Sequence, residues 1–149
     1  MKRESKAKPR LVLDTNVLVS GIISRKNAPG AILQAFEKKR FTLLVSEAVL
    51  DEYLRVLSYP KIRKYPQVTD SAITHIAALF VQFAEQVEVT SQATDSPDPE
   101  DNKFLNLALD GKADRLVTGD KADVLSLKEI HGIPIISPAK CVEMLGLKK

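Results

Sequence analysis

The chain has 149 residues, a formal net charge of +3 and a single cysteine, Cys141. This length suits one domain with a sizeable core, and no apolar run approaches the length of a membrane-spanning helix. A lone cysteine excludes an internal disulfide and a cysteine-rich zinc site, and it fits a reducing, cytoplasmic compartment. The mild positive charge permits an anionic partner such as nucleic acid without arguing strongly for one.

The N-terminal part of the chain predicts a basic tail followed by a buried strand. Residues 1–9 carry several lysines and almost nothing apolar, so we expect a flexible tail there and a folded domain over 10–149. A continuous apolar run then leads into Asp14, which is typical of a strand in the middle of a parallel sheet. A carboxylate at the end of such a strand is either a turn or helix-capping residue or part of a functional site, and other acids have to decide between these.

Apolar periodicity and turn residues predict the remaining elements in chain order. Glycine, asparagine and proline predict a loop over 20–30, and a proline-rich segment predicts a turn over 59–66. The predicted strands lie at 10–14, 41–45, 87–89, 115–118 and 133–136. The predicted helices lie at 29–39, 47–57, 70–85, from Asp98 as N-cap to 109, and at 139–145. Strands that alternate with helices predict a three-layer α/β/α sandwich around a central parallel sheet of about five strands.

Two acids lie on the predicted inward faces of helices. Glu52 lies between two apolar stripes of the helix over 47–57 and is therefore expected to face protein. Asp101 stands one turn before Phe104, on the inward face of the helix that follows Pro99. The alternative for Asp101 is that it only favours the positive end of the helix dipole, which would explain its charge but not its inward face.

Four acids are expected to meet at one edge of the sheet. Asp14 and Asp120 each end a strand, and Glu52 and Asp101 each lie in a helix that follows a strand. Groups that follow the strands of an open α/β sheet gather at its carboxyl edge. Four carboxylates would repel one another without a cation, and an all-oxygen ligand set favours Mg²⁺ or Mn²⁺, ions that activate water at a phosphodiester. The expected supporting residues beside them are Thr15, Asn16 and Thr118.

The motifs around these acids resemble those of the PIN domain family, in particular the single-domain VapC-type toxin ribonucleases. The four motifs are Leu-Asp-Thr-Asn-Val at 13–17, Ser-Glu-Ala-Val-Leu-Asp-Glu at 46–52, Asp-Pro-Glu-Asp-Asn at 98–102 and Val-Thr-Gly-Asp at 117–120. Over about 10–145, the resemblance implies a metal-dependent endoribonuclease, the toxin of a toxin–antitoxin pair, that forms a homodimer and binds an acidic antitoxin. The acidic positions of the family carry over to Asp14, Glu52, Asp101 and Asp120.

Two further acids and two other functions remain open. Asp98 precedes the same helix as Asp101, so either aspartate could be the ligand there, and the inward face of that helix favours Asp101. The stretch after Asp120 is one residue longer than the family pattern, so Asp123 is either an outer ligand or merely exposed. One alternative function is a phosphohydrolase of the haloacid-dehalogenase type. That chemistry needs a second aspartate two residues after the first, and Asn16 at that position argues against it. A catalytically silent PIN-like module that binds RNA or protein is the other alternative, and the presence of all four acids argues against it. Basic residues at 38–40 and 61–64 are expected to contact RNA.

Overall fold

The computed structural model describes residues 8–92, 99–119 and 128–147. The strands are β1 (Arg10–Leu13), β2 (Thr42–Val45), β3 (Glu85–Gln86), β4 (Arg115–Val117), β5 (Glu129–Ile130) and β6 (Ile133–Ile136). The helices of the described ranges are α1 (Thr15–Ile23), α2 (Ala28–Glu37), α3 (Glu47–Leu57), α4 (Pro60–Arg63), α5 (Asp70–Phe83), α6 (Asn102–Asp110) and α7 (Pro138–Leu145), with a 3-10 turn (Pro99–Asp101) before α6. Asp98, Asp120, Asp123 and most of the predicted tail lie outside these residues.

The sheet has six strands in the order β3-β2-β1-β4-β6-β5. All neighbouring pairs are parallel except β5 with β6, which is antiparallel. The prediction of a central parallel sheet of about five strands in an α/β/α sandwich is therefore confirmed, with β5 added as an antiparallel edge. The centre of β1 is fully buried at Leu11 and Val12, as expected for a strand that has a hydrogen-bonded partner on each side and is covered on both faces.

The predicted loop over 20–30 is wrong at both ends, because α1 begins directly after Asp14 and continues to Ile23, and α2 begins at Ala28. Four apolar residues of α1 are buried, and a segment that is apolar on most sides has no periodicity that separates a helix from a strand. Gly21 lies within this helix because α2 approaches it closely: a Cβ there would stand 2.7 Å from the carbonyl oxygen of Pro29. The glycine therefore marks helix contact and not a loop.

Two shorter predictions differ from the structure, and one short strand was missed. The predicted turn over 59–66 contains the helical turn α4, with Pro60 at its first position, where a missing N–H does no harm. The third strand is β3 at Glu85–Gln86 and not at 87–89, since α5 ends two residues earlier than predicted. The edge strand β5 was not predicted. No helix in the described part of the chain is long and apolar enough to span a membrane.

Candidate active site

Asp14 connects the ends of β1 and β4. It is the N-cap of α1, where its Oδ1 accepts a hydrogen bond from the backbone N–H of Asn16 at 3.3 Å. Its Oδ2 accepts a shorter bond, 2.6 Å, from the hydroxyl of Thr118, the residue directly after β4. Asp14 is 4% exposed and Thr118 is fully buried. Helix capping is therefore one role of this aspartate, but capping alone does not account for the second oxygen that Thr118 holds.

Glu52 lies in the second turn of α3, and each of its carboxylate oxygens accepts a hydrogen bond. The hydroxyl of Thr15 donates to Oε2 at 2.6 Å, and the ammonium of Lys103 donates to Oε1 at 2.6 Å. Burial of Glu52 acts to raise its pKa, but the bonds from Lys103 and Thr15 outweigh burial and hold the pKa below its usual value. Glu52 is therefore ionised in this state and is electrostatically compensated.

Asp101 is a buried aspartate at the beginning of α6. Asp101 is 2% exposed. It occupies the N-cap position of α6, but its side chain makes no capping hydrogen bond to that helix. The helix leads into β4, which is parallel to β1, so α6 begins at the carboxyl edge of the sheet. Capping therefore does not explain why this carboxylate is buried there.

The supporting residue Asn16 is exposed in the first turn of α1. Together with Gly119, the residue after Thr118, it lines a cleft of about 380 Å³ beside Asp14. The other lining residues of this cleft are Val17, Ser20, Pro29 and Pro138. The cleft therefore lies against α1, the helix that Asp14 caps.

The predicted acids do not all come together within the described residues. In residues 8–92, 99–119 and 128–147, no group of three or more His, Cys, Asp and Glu side chains is placed to hold a metal ion. Asp120, Asp98 and Asp123 fall outside those ranges. The donors that are described, namely carboxylates and hydroxyls, are hard oxygen ligands of the kind that Mg²⁺ and Mn²⁺ prefer. In its chemistry the set fits such an ion.

A family model described as a PIN domain matches residues 10–122 of the chain. The chain belongs to the PIN domain family. PIN domains are generally nucleases, and they typically use divalent metal ions. An uncharacterized protein of the archaeon Methanocaldococcus jannaschii is 32% identical over 129 residues, which cover 87% of this chain and 81% of that protein. The range of the PIN domain match includes Asp14, Glu52, Asp101 and Asp120, whereas Asp123 lies just beyond it.

Sequence reasoning missed two residues that this PIN domain places beside its acids. Lys103 is one of them, and the expected repulsion among the carboxylates was the signal that could have indicated a lysine nearby. The other is Tyr53, which belongs to an apolar stripe of the helix over 47–57 and to which the sequence assigned no role. Its buried hydroxyl donates to the carbonyl oxygen of Leu13 at 2.5 Å. Burial raises the pKa of Tyr53, so the hydroxyl keeps its proton and ties α3 to the end of β1.

Proposed function

We propose that this PIN domain is a Mg²⁺- or Mn²⁺-dependent endoribonuclease that hydrolyses phosphodiester bonds within RNA. The observation that carries the proposal is the burial of two aspartates, Asp14 and Asp101, at the carboxyl edge of the sheet. A buried carboxylate is unfavourable unless charged or polar groups compensate it. Hydrogen bonds already hold both oxygens of Asp14. In a family whose members are generally nucleases that use divalent ions, carboxylates buried at this edge favour a cation site, which would also account for activity.

The acids and hydroxyls divide into ligands and orienting residues. The residues proposed to hold the metal are Asp14, Glu52, Asp101 and Asp120. A bound divalent ion would supply an activated water and stabilise negative charge on the reacting phosphate. Thr118 and Thr15 each fix one oxygen of a neighbouring carboxylate, which keeps the side chains from rotating. Asn16, exposed in the adjoining cleft, is available to contact the RNA. Asp98 and Asp123 remain candidates for additional ligands.

Nuclease assays with matched acidic variants test this proposal. We expect the purified protein to cut a circular single-stranded RNA in Mn²⁺ or Mg²⁺, and EDTA to stop the reaction. Asp14→Asn should abolish cleavage, whereas Asp51→Asn should not, because Asp51 is an exposed acid on the same helix as Glu52. Cleavage at an unchanged rate in EDTA would refute the metal mechanism. RNA binding without cleavage would favour the catalytically silent module.

The basic residues predicted to contact RNA differ in how free they are. Lys38 and Arg40 line a cleft of about 650 Å³ together with Arg25 and Lys26. By contrast, Lys39 lies over the ring of Phe83, 4.5 Å from its centroid, and Arg63 pairs with Asp70. We therefore propose the residues around this cleft as the main RNA contact of the 38–40 segment. In the other predicted segment, Lys61 and Lys64 are exposed.

The salt dependence of RNA binding tests the basic cleft. Lys26 and Lys38 form no ion pair with any described residue, so their charges are available to phosphates. Each Lys→Gln change should weaken RNA binding and reduce the slope of log K against log salt by about 1. Lys112→Gln is the matched control, because Lys112 is an exposed lysine just after the C-terminal end of α6 and does not line the basic cleft. A slope equal to that of the control would remove these lysines from the RNA contact.

The proposed cellular role is the toxin of a toxin–antitoxin pair, which acts as a homodimer and is inhibited by an acidic antitoxin. Its support is the family, together with exposed apolar side chains on several elements, which would mark protein contacts where they adjoin one another. These side chains are Leu54, Tyr59, Tyr65, Val81, Phe83 and Met144. Induced synthesis of the wild-type chain should arrest growth, whereas the Asp14→Asn chain should not. Light scattering that gives only a monomer at high concentration would refute the homodimer.

A further inference from the structure

Lys103 brings a positive charge to Glu52 from the first turn of α6. Its Nζ lies 2.6 Å from Oε1 of Glu52, and their side chains are only 20% and 16% exposed. The same Nζ lies 3.2 Å from Oε1 of Glu100, whose side chain is 76% exposed. The lysine therefore has an inner carboxylate partner that is shielded from water and an outer partner at the surface.

The ion pair between Lys103 and Glu52 is largely buried, unlike an ordinary surface ion pair. Exposed lysine–glutamate pairs contribute little, because water screens them and two long side chains lose freedom. Here Thr15 also holds Oε2 of Glu52, so one oxygen of the carboxylate is held independently of the lysine. The 2.6 Å contact is also at the short end for a charge-assisted hydrogen bond. Removal of the ammonium would leave a mostly buried carboxylate with one donor.

We propose that Lys103 is the resident counter-cation of Glu52 in the metal-free protein, and that a divalent metal has to displace it from Oε1. This inference rests on the proposed metal-dependent function. It follows from the sign of the charges, because an ammonium at a metal ligand repels an incoming divalent ion and occupies one of the oxygens that the ion would use. Glu100 supplies a position to which the displaced ammonium can move without leaving the edge of the site. Lys103 thereby lowers the affinity for metal and stabilises the site without it.

Metal-binding titrations of purified variants test the displacement. We expect Lys103→Met to bind Mn²⁺ about tenfold more tightly than the wild type, which corresponds to about 1.4 kcal/mol, by calorimetry or by the electron paramagnetic resonance signal of free Mn²⁺. Lys103→Arg, which keeps the charge, should stay near the wild-type affinity. Lys112→Met removes the same charge from the exposed position beyond the far end of α6 and should leave the affinity unchanged. Circular dichroism checks that each variant is folded.

Two further measurements separate direct exchange from a general effect of charge. In EDTA, Lys103→Met should melt at a lower temperature than the wild type, and saturating Mn²⁺ should remove or reverse the difference. In a Glu52→Gln background, the gain in affinity from Lys103→Met should fall towards that of the Lys112 control. A full gain in that background would overturn exchange at Glu52.

The outcomes distinguish this inference from the proposed function. If the wild type binds Mn²⁺ and Lys103→Met binds it equally or more weakly, the counter-cation role is overturned and the proposed metal site stands. If neither protein binds Mn²⁺, the metal site fails, and the displacement fails with it. Binding by Lys103→Met alone would support the displacement in its strongest form.

Discussion

Thr118→Val tests how strongly the hydroxyl of Thr118 holds Asp14 in the folded protein. The substitution keeps the shape of a fully buried side chain and removes only the hydroxyl that donates to Oδ2 of Asp14 at 2.6 Å. A hydrogen bond to a charged group contributes about 1.5–3 kcal/mol to stability. Removing one partner of a buried charged group costs a similar or larger free energy of unfolding. We therefore expect the variant to lose about 2 kcal/mol of unfolding free energy. For a chain of this size that corresponds to roughly 4–8 °C in melting temperature.

Urea and thermal unfolding in EDTA measure this loss, with Thr42→Val as the matched control. Thr42 is half-buried at the start of β2, and the described structure gives its side chain no hydrogen bond. The same exchange of hydroxyl for methyl there should change the stability by less than about 0.5 kcal/mol. If Thr118→Val costs no more than Thr42→Val, the hydrogen bond from Thr118 to Asp14 does not stabilise the fold. The reasoning that links β4 to the cap of α1 would then be wrong.

Three other predictions concern the scaffold around the site. The hydrogen bond from Arg10 holds the pKa of Glu85 below its usual value, so Glu85→Gln should cost roughly 0.5 kcal/mol at pH 7; urea titrations at decreasing pH should show that cost vanish as the wild-type carboxyl is protonated. Burial raises the pKa of Cys141 to about 12, so a thiol reagent at pH 8 should react only when the protein unfolds, and rapid labelling of the native protein would contradict this. Gly30→Ala should lower the melting temperature clearly, since its Cβ would meet the backbone between α1 and α2. Gly119→Ala should lower it less, since, apart from Gly119 itself and its chain neighbours, no atom of residues 8–92, 99–119 and 128–147 would lie within 4 Å of the added Cβ.

The sequence predicted the elements whose signals are local. The helix α3 begins at Glu47 and ends at Leu57 as predicted, because Ser46 caps it and the apolar stripes are regular. The same regularity indicated that Glu52 faces protein, and its side chain is 16% exposed. Helix α1 was missed for the opposite reason. Apolar residues lie around most of the helix, so no periodicity is visible, and Gly21 favoured the prediction of a loop. The difference lies in whether a segment has one buried face or several.

Contacts between distant residues were out of reach of that reasoning. Glu52 and Lys103 are 51 positions apart, and Asp14 and Thr118 are 104 positions apart. Topology predicted that such residues lie near one edge of the sheet, but not which hydroxyl or ammonium reaches which oxygen. The four-acid metal site likewise remains a prediction, because Asp120 lies outside the described residues.

The arrangement of donors suggests how one site can be both stable without metal and ready for it. In Asp14 and in Glu52, a threonine hydroxyl holds one carboxylate oxygen at 2.6 Å. The other oxygen carries a more replaceable partner: a 3.3 Å bond from a backbone N–H on Asp14, and the flexible ammonium of Lys103 on Glu52. A neutral, buried hydroxyl can keep a carboxylate in place while the second oxygen changes partner, since the hydroxyl neither repels a cation nor leaves with the lysine. Orientation and charge compensation are thus assigned to different donors, so an incoming cation would have to replace only the weaker or movable one.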